Sequence, residues 1–147
     1  MTTPDIFTHN RVILTHFDSY SAALLFPRWG ETLLWPAALP LGAEPMPSPA
    51  VITPEFSGQA VRQAVIDRCG FDPETLERVN EFNHWAQTAT GPVRIHLLRF
   101  TCFEAPKAAI QTLGGEFKPI SLLRGSAMSE LLLLREVFNL IVGAGLP

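Results

Sequence analysis

Two short stretches of the chain hold the residue types that could bind or act on a small anion. Thr101, Cys102 and Glu104 follow an apolar run, and Arg124, Gly125 and Ser126 precede a leucine-rich one. A guanidinium, a hydroxyl and the free backbone N–H groups that open a helix can together hold a carboxylate or a phosphate. Lys107 adds a further cation near the first stretch. The structural alternative is plainer: Ser126 caps a helix and Arg124 is solvated.

Cys102 invites comparison with a nucleophile. On a straight strand His96 lies six residues from it, roughly 20 Å at the usual rise, so the two cannot act as a nucleophile–base pair. A base would have to come from His16 or His84. Cys102 therefore reads as a small buried apolar residue, and His96 as a hydrogen-bonded structural histidine. Arg99, on the opposite face of that run, needs a carboxylate if buried, with Glu77, Glu81 or Glu104 as candidates. Trp29, Trp35 and Trp85 could line an aromatic pocket or simply fill a core. Cys69 and Cys102 show no metal-type spacing, no His or acidic cluster completes a metal site, and no cofactor motif occurs. Glycine-rich phosphate loops, HExxH, GxSxG and EF-hand patterns are all missing from the sequence.

The elements that would position these residues are clearest in the C-terminal half. Val93–Phe103 reads as a central strand, apolar on both faces. Residues 106–113 read as a short helix opened by Pro106 and stopped by Gly114-Gly115. Residues 117–122 read as a short strand, and Ser126 to about Val142 as a final helix. This β-α-β-α order would bring residues 101–107 and 124–126 to one corner if the two strands are adjacent and parallel.

Upstream, Val12–Leu14, Ala22–Phe26 and Thr32–Trp35 have the composition of short strands. Six prolines between residues 36 and 54 make that segment an extended connection. Ser57–Arg68 reads as a helix stopped by Gly70. A second helix is expected from Asp72 and Pro73, with Leu76, Val79, Phe82, Trp85 and Ala86 as its stripe. Glu74, Glu77 and Glu81 on that helix would repel phosphate, which argues against nucleic-acid reading by the pair. The expected fold is α/β or α+β. It is a small mixed sheet with a C-terminal β-α-β-α segment, a preceding helix pair and a proline-rich irregular segment, all in one domain over residues 1–147.

The 147 residues are 47% hydrophobic and only 17% charged, with a net charge of −3. That is a low charge density for a globular domain. The final helix is apolar around most of its circumference, with a polar edge at Arg135, Glu136 and Asn139. It is either central to the domain or covered by a partner. Leu132, Leu133, Phe138 and Leu140 are the candidate contact residues. The expected role is a non-catalytic domain that self-associates or docks on a protein partner; the alternative is a binder of a small anionic molecule, or a small enzyme acting on one. Residues 1–10 lack the pattern of a signal peptide, and no apolar run reaches the length of a membrane span. A cytoplasmic protein without membrane or nucleic-acid partners is the expectation.

Overall fold

The computed structural model describes residues 5–143. In chain order its strands and helices are β1 (Asn10–Asp18), β2 (Ala23–Arg28), β3 (Leu34–Trp35), β4 (Glu44–Met46), α1 (Gly58–Cys69), β5 (Leu76–Arg78), β6 (His84–Thr88), β7 (Gly91–Phe100), α2 (Lys107–Thr112), β8 (Glu116–Pro119) and α3 (Met128–Phe138), the last extended by a π turn over Asn139–Gly143. The mixed α/β content is the one the sequence implies.

The eight strands form one mixed sheet in the order β4-β6-β7-β1-β2-β8, with β3 beside β1 and β5 beside β7. Its centre is the parallel pair β1 and β7, in register from Asn10 opposite Arg94 to His16 opposite Phe100. Both strands are apolar on both faces, so both faces must be covered. Ile13, Ile95 and Leu97 meet Leu133, Leu134, Val137 and Ile141 of α3 on one side. Val12, Leu14, Leu98 and Phe100 meet Val61, Val65 and Ile66 of α1 and Ile110 of α2 on the other. Each fully buried aliphatic side chain of this kind contributes about 1.5–3 kcal/mol.

α1 follows its sequence signals closely. The Ser57 hydroxyl accepts from the Ala60 amide at 3.3 Å, and Gly70 ends the helix at φ 73°, where a Cβ would be strained. Pro45 sits on edge strand β4 and Pro119 at the end of edge strand β8, where a missing donor costs no ladder bond.

Three expectations are corrected. The second helix of the expected pair is a single 3₁₀ turn, Pro73–Thr75, followed by β5 and β6. Asp72 does accept from the Glu74 amide at 3.0 Å, but the far edge of β7 offers unpaired backbone groups that residues 76–78 and 84–88 satisfy. The strand pair of the C-terminal half is not adjacent. β7 and β8 point the same way, yet β1 and β2 stand between them, and β8 pairs antiparallel with β2. The cap of α3 is Ala127 without a side-chain bond, not Ser126, whose buried hydroxyl has no partner.

α3 is held at its first turn by a buried carboxylate. Glu130 accepts from the Leu33 amide at 2.8 Å and from the Thr32 hydroxyl at 2.6 Å, tying the helix to the turn before β3. Replacement by alanine strands both donors. Glu130→Ala is expected to lower unfolding free energy by about 1–3 kcal/mol in urea titration; an unchanged midpoint would show that water serves the two donors equally well.

Candidate functional site

The residues expected to form one corner are split between two hollows. Glu104 and Lys107 line one, of about 450 Å³, with Asp18, Tyr20, Leu25 and Phe103. Arg124 lines a second, of about 350 Å³, with Ile120, Ser121, Leu131, Leu134 and Arg135. The two strands that positioned these residues in the sequence reading are separated by two others, which removes the common wall. Thr101 is exposed, its amide donating to the Thr75 carbonyl at 2.8 Å, and Gly125 is exposed in a turn. Cys102 points its thiol at the Glu104 carbonyl at 3.1 Å. His16 lies beside it but donates from Nε2 to the Cys102 carbonyl at 2.8 Å, not to sulfur. Burial pushes the Cys102 thiol up, and pushes Cys69 up to about 11, so both are kept protonated at neutral pH.

The candidate contact residues of α3 also divide. Leu133 packs into the core and shows only its edge to the surface, and Leu140 is half-buried. Leu132 and Phe138 remain open, at 52% and 39% exposure, with Met128 at 70% one turn before Leu132. Leu132 and Leu133 form one wall of a groove of about 350 Å³. Leu39, Pro45, Ala86 and Ile95 supply apolar surface opposite, and His84, Arg135, Glu136 and Asn139 supply polar atoms. The proline-rich segment thus has a definite job, because β4 pairs with β6 and forms the groove's far lip. The three tryptophans do not share a pocket. Trp35 packs on Phe7, Trp85 on Phe56, and Trp29 against Gly115, where a Cβ would meet its ring at 2.5 Å.

A second polar centre lies under α1. Asn10 is fully buried; its amide donates to the Ile6 and Glu55 carbonyls at 2.8 Å each. Its oxygen is therefore the acceptor for His96 Nε2 at 2.7 Å, which fixes the Nε2–H tautomer. Arg94 and Arg78 face the same small recess as His96, beside Gly58 at the start of α1. Arg94 donates to the Phe56 carbonyl at 2.9 Å, and its guanidinium lies 5.5 Å above the Trp85 ring. Burial, reinforced by the charges of Arg94 and Arg78, lowers the His96 pKa to about 3. Arg99 stands on the opposite face, 3.9 Å from Glu77, a loose half-exposed pair.

His96 was legible as a structural histidine. Arg78 was not singled out, because its approach to Arg94 depends on β5 pairing with β7, a contact that no local spacing announces. His84 belonged to the expected helix and lines the groove only because that stretch is strand. The chain matches no family model, and no curated protein matches its sequence. Among the described residues no helix is long and apolar enough to cross a membrane.

The depressed pKa of His96 has a definite sign in stability. Above the ordinary value of 6.5 both folded and unfolded chains hold it neutral, and its full contribution is present. As pH falls from 6.5 toward 3, the unfolded chain takes up a proton that the folded protein refuses, and stability is lost. The urea midpoint is expected to fall between about pH 7 and pH 4, with a shallower fall in His96→Gln. Equal slopes in both proteins would contradict the buried neutral imidazole.

Proposed function

We propose that this protein is a non-catalytic docking domain whose contact surface is the groove along α3, and that the occupant is a second copy of the chain. The observation that carries the reading is Leu132, exposed on the same helix face that walls an apolar groove of about 350 Å³. Projection and hollow lie side by side on one element, which is the arrangement a two-fold pairing can use twice. Arg135 and Glu136 are adjacent on that face, so an antiparallel second α3 sets each cation near the other copy's carboxylate. The competing route, strand addition, is blunted because the strands with an open edge are short: β4 and β8 have three and four residues and carry Pro45 and Pro119, and β3 and β5 have two and three. Both cysteines being held as thiols adds nothing that would favour nucleophilic chemistry.

One observation favours a second reading, the binding of a small anionic molecule: the recess walled by Arg78, Arg94 and His96 has no carboxylate among its lining residues.

Sedimentation velocity at tens of micromolar tests the first reading. The wild type is expected to sediment as a dimer, and Leu132→Glu as a folded monomer, since a charge buried against an apolar groove is strongly unfavourable. A wild type that stays monomeric overturns it.

A further inference from the structure

The recess at the start of α1 has an unusual balance of charge. Arg94 comes from β7 and Arg78 from β5, and both point to the face on which α1 lies. The positive end of a 12-residue helix points to the same place. Three positive features thus converge in a chain whose net charge is −3. Glu77, the nearest acidic neighbour in sequence to Arg78, is on the other face of its strand with Arg99. Arg78 makes no hydrogen bond or ion pair within the described residues, and the Arg94 Nε is buried without a partner. The like charge of Arg78, after burial, lowers the Arg94 pKa, so the two guanidiniums are close enough to repel.

The start of α1 is shaped to admit this arrangement. A Cβ on Gly58 would stand 2.8 Å from Arg78 Nη1, so a larger residue here would shift the guanidinium from its place over the helix terminus. The Ser57 hydroxyl takes the Ala60 amide, and the Val61 amide returns to the Ser57 carbonyl, leaving the Gly58 and Gln59 amides free of protein partners.

His96 adds a filter. It is only 6% exposed, and Asn10 holds its Nε2 as the donor. Its other nitrogen, Nδ1, therefore carries the ring's lone pair and has no protein partner, on a ring that lines the recess. A group entering here meets cations and free N–H donors on one side and a fixed acceptor on the other. An anion with no proton satisfies the first and clashes with the second. An anion that keeps one O–H satisfies both.

We propose that this recess binds a protonated oxyanion, hydrogen phosphate, with its charged oxygens toward Arg78, Arg94 and the α1 terminus and its P–O–H donating to His96 Nδ1. The pocket volume of about 20 Å³ admits one oxygen at depth, so the rest of the anion stands at the mouth under exposed Arg78. This rests on the anionic-ligand reading above and adds the selection of phosphate over sulfate, which has the same shape but no proton at neutral pH.

The test is an NMR titration of the full chain at neutral pH and constant ionic strength, following the Gly58 and Gln59 amides and the His96 ring nitrogens. Inorganic phosphate is expected to give saturable shifts at these positions, and sulfate at least about tenfold weaker ones, the cost of one unmatched buried acceptor. Methyl phosphate, largely a dianion without an O–H at this pH, is expected to resemble sulfate. Arg78→Gln, and Gly58→Ala, which displaces Arg78, are expected to weaken phosphate by about tenfold while leaving the rest of the spectrum in place. Equal saturation by phosphate and sulfate overturns the selection and leaves the anionic reading standing. Shifts that never saturate, or that persist unchanged in Arg78→Gln, overturn both.

Discussion

Everything in this protein is arranged around the parallel contact of β1 with β7. Two strands that run side by side in the same direction, each apolar on both faces, cannot leave either face in water. α3 covers one face, and α1 with α2 covers the other. The parallel pairing also demands a long connection, and the chain between β1 and β7 supplies every element from β2 to β6. The groove and the recess both arise at the edge of this arrangement. β6 pairs with residues 91–95 of β7 and β5 with residues 98–100, and the recess lies where the two partners meet, lined by Arg94 and by the buried His96 and Leu98.

The polar residues buried on the central pair are each given a partner by distant chain. Asn10 serves His96 and reaches the Ile6 and Glu55 carbonyls. Arg11 is buried without a carboxylate, and its donors go to the Phe7, Asn10 and Ala38 carbonyls. Burial lowers the Arg11 pKa. These bonds tie the segment before β1 and the proline-rich segment to the middle of the sheet. A polar group buried here is costly when unpaired, so the bonds specify how the loops lie as well as adding stability.

Legibility in the sequence followed locality. The α1 boundaries, the double-sided apolar character of β7 and the stop at Gly114 were readable because capping, composition and glycine conformation act within a few residues. The apolar spacing of residues 72–86 suggested a helix, and the sheet overrode it because β7 had an edge to satisfy. The expected anion corner depended on strand order, which no local signal carries, and one wrong adjacency divided it in two. Leu132 and Phe138 were legible as exposed candidates on an over-apolar helix, whereas Leu133 was the side that helix turns inward. The recess was half visible: Arg94 and His96 alternate on one strand face, but Arg78 arrives by a long-range pairing.

If the β1–β7 pair is the constraint on which the rest depends, it should be the last part of the molecule to open. Native-state hydrogen exchange read residue by residue tests this directly. The amides of Val12–His16 and Ile95–Leu98 are expected to exchange only with global unfolding, while those of β4 and β8 open earlier at lower free energy. Exchange from β1 or β7 that is faster than from either edge strand would contradict the account.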